Sequence, residues 1–509
     1  MKGALLVCGT HSDAGKSVLT AGICRWLRRQ GVSVAPFKAQ NMANNSVVTI
    51  DGGEIGRAQA MQAAAAGVEP EAAMNPVLLK PSGERRSQVV VMGRPRFEAD
   101  ARSYRRLKRE LAPVVAEALA ELRRRFDVVV CEGAGSPAEV NLREDDIANM
   151  GLARAAGLPV LIVADIDRGG AFASLLGTMA LLDPADQAHV AGFAINKFRG
   201  DETLLEPALE RLREATGRPL LGVLPWLEAP GLDAEDSLSL AGAPGPESGE
   251  GLDVVVVRLR WISNFTDFDA LATEPGVRLR YTRSPLDVER ADLVVLPGTK
   301  ATVEDLEALR GWGLERALRR RAEAGAPLLG ICGGYQMLGE RIVDEVESRR
   351  GAASGLGLLP VATEFEAEKL LRRRGGSCPW LDSGADGYEI RHGRVSRHGG
   401  EPLLEDDSGE AEGCRAGAVL GTSWHGLLEH DALRHSLLGW VGRERGVDFH
   451  PGAEPFAAIR EARLDALGDL VAENLDTERL TRLIEEGPPP GLPSVHTEVR
   501  VPALATDTR

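Results

Sequence analysis

The chain has 509 residues, 43% of them apolar and 27% charged, with a formal net charge of −15. That length exceeds one ordinary core, and the acidic balance excludes wholesale nucleic-acid binding, because no basic stripe could neutralise a phosphate backbone. Six cysteines without CxxC spacing exclude a disulfide scaffold and suit a reducing, cytoplasmic setting. The first residues show no signal-peptide pattern, and the best apolar run, 158–164, is too short to span a bilayer, so no membrane role is expected.

In chain order, short β-branched runs at 4–7, 32–37, 127–131, 159–164, 190–195 and 220–224 read as buried strands. Helix-period segments at 18–29 and 114–125 lie between them, an alternation that predicts a parallel sheet covered by helices. Residues 241–251 (AGAPGPESGEG) carry no periodicity and read as a linker. Alternation resumes at 254–259, 293–296, 328–331 and 418–423, a terminal helix is expected over 461–483, and 487–509 reads as disordered. The expected organisation is an α/β domain over 1–240, a linker, a second α/β domain over 252–445, and an extension over 446–509.

The first strand ends in Gly9-Thr-His-Ser-Asp-Ala-Gly15-Lys16-Ser17 and leads into a helix. Glycines let backbone N–H groups turn toward phosphate oxygens, Lys16 supplies a point charge, and the Ser17 hydroxyl suits Mg²⁺. Thr10, Ser12, Asp13 and Gly15 complete the expected ATP loop, although five residues separate its glycines where four are usual. Glu132, at the end of the 127–131 strand, is the expected metal-holding acid. Asp51 is either a second ligand or a turn aspartate. Lys38 could reach the transferred phosphate. Gln40, Asn41, Asn44 and Asp146 are polar loop residues suited to a ligand's carbonyls and carboxyls, or to capping.

In the second half, Pro327-Leu-Leu-Gly-Ile-Cys332-Gly333-Gly334-Tyr-Gln336 places a cysteine where a buried strand turns sharply into a helix. This is the logic of an exposed nucleophile, with the Gly333 N–H facing a developing oxyanion and Gly298, in another strand-end loop, as second donor. His425, at a strand end before Gly426, is the best-placed base among nine histidines. No HxxxH or CxxC spacing supports zinc.

Together these motifs resemble the cobyric acid synthase family of glutamine-dependent amidotransferases. The resemblance runs over roughly 3–440 and rests on blocks including Thr10–Ser17, Pro36–Met42, Asp51–Gln59, Met74–Pro81, Glu132–Glu139, Asp145–Gly151, Ala164–Gly170, Ile262–Phe268, Gly330–Met337 and Gly387–Ile390. It implies a P-loop domain similar to dethiobiotin synthetase, whose loop also has the five-residue spacing, joined to a class I glutamine amidotransferase-like domain. It further implies ATP, Mg²⁺, glutamine and a corrinoid as ligands, and amidation of the b, d, e and g carboxyls of adenosylcobyrinic acid a,c-diamide. The related cobyrinic acid a,c-diamide synthases, and a P-loop regulatory ATPase with a degenerate glutaminase domain, are the alternatives. Two departures stand out: Leu427 occupies the place where many class I relatives carry a glutamate that orients the histidine, and Ser423-Trp-His425-Gly differs from the usual context. The sequence therefore supports a Cys332–His425 dyad with no third residue yet identified, and it leaves the oligomeric state open.

Overall fold

The computed structural model describes residues 1–83, 85–227 and 251–495. Six strands form an all-parallel sheet in the order Leu220–Pro225, Val190–Phe198, Val160–Asp165, Gly3–Gly9, Val128–Glu132, Val34–Phe37. Every strand expected in the first half is present in it. These runs are apolar on both faces because helices cover both sides, and their side chains divide between two aliphatic clusters.

The strand Gly3–Gly9 lies at the centre, between Val160–Asp165 and Val128–Glu132. Its following loop therefore emerges at the carboxyl edge of the sheet, flanked by the acids that end both neighbours, Asp165 and Glu132. Open α/β sheets bind ligands at this edge.

A second six-stranded sheet has the order Val277–Thr282, Leu252–Val257, Leu293–Leu296, Leu328–Ile331, Val419–Thr422, Cys414–Ala416, parallel except for the last pair. The cysteine loop leaves its interior strand Leu328–Ile331. Three further sheets were not anticipated, one of them the two-stranded pair Ser46–Val48 with Glu54–Gly56. Another is a four-stranded sheet built on Gln40–Met42 and Val77–Gly83. The third is dominated by a long antiparallel pair, Val361–Cys378 with Ser383–Arg397. That pair is rich in Arg, Glu and Gly and half exposed, so it lacks the apolar alternation that marks a strand in sequence.

The expected terminal helix is two helices, Phe456–Asn474 and Thr477–Glu486. The break falls at Leu475-Asp476, where the Asp476 carboxylate accepts from the Arg479 N–H and caps the second helix. Both helices return to the first sheet. Leu464, Leu467, Leu470, Val471, Leu480, Leu483 and Ile484 enter its core cluster, and Arg25 of the first helix bonds Glu461 and Asp465. Of the segment expected to be disordered, 487–495 is described and bonded: Arg218 donates to the Pro493 carbonyl and the Val495 N–H donates to Gln187. Residues 496–509 and most of the expected linker, 241–250, lie outside the described residues. Among the described residues no helix is long and apolar enough to cross a membrane.

Candidate active sites

At the carboxyl edge of the second sheet, Cys332 follows the strand Leu328–Ile331 and precedes the helix Gly333–Leu338. Its backbone sits at φ 49°, ψ −108°, a region that costs a residue with a side chain about 1–3 kcal/mol. The turn is held by close packing. A Cβ added to Gly334 would fall 1.9 Å from the Leu296 carbonyl oxygen, so only glycine permits this approach.

His425, at the end of the neighbouring strand Val419–Thr422, lines the same cavity as Cys332. Its Nδ1 lies 2.7 Å from Asp267 Oδ2, and the Gly426 N–H donates to Asp267 Oδ1 at 2.9 Å. Tyr388 stacks on the imidazole with ring centroids 5.6 Å apart, and the two residues exchange backbone hydrogen bonds. Cys332, His425 and Asp267 are all buried. Burial opposes charge on the ring, but the Asp267 carboxylate and the Cys332 sulfur outweigh it, so the imidazole is raised from 6.5 to about 10. A protonated ring beside sulfur is the setting of an activated thiol nucleophile.

Asp267 is the residue the sequence reading missed. It belongs to the Ile262–Phe268 block, whose polar character at a strand end was the one available signal, but its pairing partner lies 158 positions away. It supplies the carboxylate partner of the imidazole, which Leu427 cannot. Gly298 packs against the same ring: a Cβ there would come within 2.8 Å of His425 Cε1. Gly333 faces the same loop, with its would-be Cβ 3.0 Å from the Thr299 nitrogen. The two expected oxyanion glycines therefore lie in adjoining loops, Gly298 against His425 and Gly333 directly after Cys332.

In the first half, the loop after Gly3–Gly9 curls around Lys16, whose Nζ donates to the His11 carbonyl at 2.9 Å. Gly15 has φ 99°, and a Cβ on it would strike Asn196 Nδ2 at 1.9 Å. The Thr10 hydroxyl is buried with no hydrogen-bond partner in the structure, as a loop that receives phosphate oxygens requires. The Ser17 hydroxyl donates to Glu132 Oε1 at 2.8 Å, Lys38 Nζ reaches the same oxygen at 2.9 Å, and Gln62 Nε2 donates to Oε2 at 2.5 Å. The structure thus brings Ser17, Lys38 and Glu132 together. Ser12 is placed in the same loop. Asp13, in the same loop, accepts from Arg168 at 2.7 Å. Arg168 and Lys197, which bonds Asp165 at 2.8 Å, are basic residues beside this loop that the sequence reading passed over.

Asp51 lies away from this group, in the turn between the strands Ser46–Val48 and Glu54–Gly56. There its carboxylate accepts from the Thr49 hydroxyl and the Ala72 N–H. These bonds are those of the turn alternative. Asp146 likewise caps a helix start, accepting from the N–H groups of Ala148, Asn149 and Gly151. Gln40 accepts from the Tyr104 hydroxyl and Asn41 donates to Gln59, while Asn44 Oδ1 is left without a partner.

Ser17 and Glu132 offer adjacent hard oxygen donors beside a phosphate loop, a set that fits Mg²⁺ bound chiefly through nucleotide phosphates. Among the described residues no cluster of three His, Cys, Asp or Glu side chains forms a protein-only metal site, which such binding does not need.

Residues 5–237 match the CobQ/CobB/MinD/ParA nucleotide binding domain, and residues 253–433 match the CobB/CobQ-like glutamine amidotransferase domain. Proteins named cobyric acid synthase from Frankia casuarinae, Rhodococcus jostii and Streptomyces avermitilis are 58%, 57% and 57% identical to this chain. The alignments cover 97% of this chain in each case and 99%, 98% and 99% of those proteins. With a nucleotide-binding half, a glutamine amidotransferase half and near-complete alignment to such relatives, the chain belongs to the cobyric acid synthase family of ATP-using amidotransferase enzymes.

Proposed function

We propose that this protein amidates the b, d, e and g carboxyl groups of adenosylcobyrinic acid a,c-diamide, with Cys332 and His425 releasing ammonia from glutamine and the phosphate loop activating each carboxyl. The observation that carries the first half is Cys332 on its strained turn, sharing a cavity with an imidazole that Asp267 holds at 2.7 Å. The Cys332 thiolate attacks the side-chain amide carbon of glutamine, and the Gly298 and Gly333 N–H groups receive the oxyanion. His425 gives its proton to the departing nitrogen, ammonia leaves, and water then cleaves the thioester to release glutamate. Asp267 keeps the ring oriented and charged, and is a positioning residue.

In the second half, a carboxylate cannot expel oxide, so it must first become a better acyl donor. Transfer of the γ-phosphoryl group of ATP gives an acyl phosphate, and ammonia displaces phosphate to leave the amide. Lys16 and Lys38 hold the transferring group's negative charge, Thr10, Ser12 and Gly15 line the loop around the nucleotide, and Ser17 and Glu132 hold Mg²⁺. That ion, when bound, neutralises phosphate charge. Gln40, Asn41 and Asn44 form the amide-rich rim toward the corrinoid. The buried free thiols support a cytoplasmic setting.

The deciding experiment is mass spectrometry of adenosylcobyrinic acid a,c-diamide after incubation with the protein, glutamine and Mg-ATP. The expected product carries one amide-for-hydroxyl exchange at each of the b, d, e and g positions, with glutamate and ADP formed alongside. A product amidated only when a and c are free would favour the a,c-diamide synthase reading.

Asp267→Asn removes the charge that keeps the ring protonated, so the imidazole falls toward its ordinary 6.5. Glutaminase kcat should drop about 10²-fold, the scale of a lost acid–base function. The alkaline limb of its pH profile should move from near 10 to the neutral range. The linked stability has the matching sign: the wild-type ring contributes stability fully present below 6.5 and lost as pH rises through about 10, and the variant lacks it. A pH profile identical to wild type would remove Asp267 from this role.

A further inference from the structure

The terminal helix Phe456–Asn474 belongs to neither site, yet it touches an element of each. It packs against the helix Lys16–Arg29, whose first two residues are the phosphate-loop Lys16 and Ser17. Arg25 donates to Glu461 at 2.6 Å and to Asp465 at 2.7 Å, and Arg29 reaches Asp465 at 2.7 Å and Asp469 at 2.6 Å. Those three acids are spaced four apart, so they form one stripe on the terminal helix. The backbones also meet closely: a Cβ on Gly22 would fall 2.6 Å from the Leu467 carbonyl oxygen.

Leu464, Leu467, Leu470 and Val471 already bury this face. Apolar contact is non-directional and leaves one helix free to slide along the other. A set of ion pairs and a glycine notch admit one register, a role suited to partly buried charge pairs. Any slide of Lys16–Arg29 would carry Lys16 and Ser17 with it.

The two ends of the terminal helix are fixed to different halves of the chain. After its last turn the Asp476 N–H donates to the Leu221 carbonyl of the first sheet at 2.7 Å. At its start, across the junction of the halves, the Phe456 N–H donates to Asp431 at 3.0 Å and Arg460 donates to Glu429 at 3.1 Å. Phe456 is buried, with the Arg434 and Arg460 guanidinium groups about its ring. Glu429 ends the turn Leu427–Glu429, which follows directly on His425 and Gly426. Its 19 residues give the helix a span of about 28 Å.

Resting on the function proposed above, we propose that Phe456–Asn474 is a strut: anchored on the glutaminase half at Glu429 and Asp431, it sets the register of the phosphate-loop helix. Asp465 and Arg460 are then positioning residues for phosphoryl transfer. Asp465 acts through Arg25 and Arg29, and Arg460 acts through the helix it anchors.

The test measures corrinoid amidation driven by ammonium as a function of ATP, alongside glutamate release from glutamine and the melting temperature. Asp465→Asn keeps the shape and removes the charge that both arginines share. Its kcat/KM for ATP should fall about tenfold, the scale of a displaced but intact site, while glutamate release stays within about twofold. Asp465→Glu, which restores the charge, should return kcat/KM to within about threefold of wild type. Phe456→Ala combined with Arg460→Met cuts the anchor on the glutaminase half and should give the same tenfold fall. A lowered melting temperature with unchanged ATP dependence in both folded variants would make the helix purely structural and overturn the proposal. A fall for Asp465→Asn alone would confine the effect to the helix pair and overturn the strut as well. If the double variant does not fold, Arg460→Met alone carries the second arm. Failure of the underlying function looks different: wild type would then amidate nothing with ammonium and ATP.

Discussion

Cys332→Ser will abolish glutamine-driven amidation, by about 10⁴-fold or more, and leave amidation driven by added ammonium within a few-fold of wild type. The serine hydroxyl fits the same turn, but its proton is far harder to remove than that of a thiol, so the nucleophile is lost with little change in shape. The φ 49°, ψ −108° backbone is set by its surroundings, chiefly the approach of Gly334 to the Leu296 carbonyl, and the smaller oxygen adds no clash. The phosphate loop lies on a different sheet and does not sense the change. Rates are to be read as glutamate release and corrinoid amidation, each with glutamine and with ammonium chloride. Loss of both nitrogen routes in a folded variant would contradict the division of labour between the two sheets. Glutamine-driven activity that survived would remove Cys332 from the chemistry.

The parts of this site that were legible in sequence are those whose signal is local. Gly9 through Ser17 and Gly330 through Gln336 each join a buried strand to a helix through glycines, and chemistry that depends on backbone turning is written in consecutive residues. Glu132 and His425 were legible for a related reason, since each is a polar residue stopping an apolar strand. Asp267 was not, because its role exists only once Val419–Thr422 and the loop after Leu252–Val257 are brought side by side. Asp51 and Asp146 show the limit from the other side: an acid among glycines or amides reads the same in sequence whether it awaits a ligand or caps a turn. The hairpin Val361–Cys378 and Ser383–Arg397 went unread because its residues are charged on both faces, and those charges, Lys369 among them, find their partners across the junction. The two terminal helices were half legible. Their periodicity marks helix, but nothing local says that Leu467 and Val471 pack on the first sheet.

Glu132→Gln should give the complementary result: amidation falls about 10²-fold or more with either nitrogen source, while glutamate release persists. Glu132 is fully buried and accepts from Ser17, Lys38 and Gln62 at 2.8, 2.9 and 2.5 Å. An amide in its place loses the charge that holds a divalent ion, and its NH₂ group turns a donor toward side chains that already donate. Lys38, 5% exposed, is then a buried cation without its carboxylate, a change that costs about 3–5 kcal/mol when such a pair is broken. The variant should therefore melt at lower temperature, and ATP with Mg²⁺ should raise its melting point less than that of wild type. Glutaminase is expected to survive because Cys332, His425 and Asp267 belong to the other sheet and its loops. Paired with Cys332→Ser, this variant makes a complementation test. Glu132→Gln would release ammonia it cannot use, and Cys332→Ser would use ammonia it cannot make. Mixing the two should restore little amidation at pH 7, because ammonia released into bulk water is mostly protonated before it meets a second molecule. Efficient restoration on mixing would show that ammonia reaches the phosphate loop through solvent rather than within one molecule.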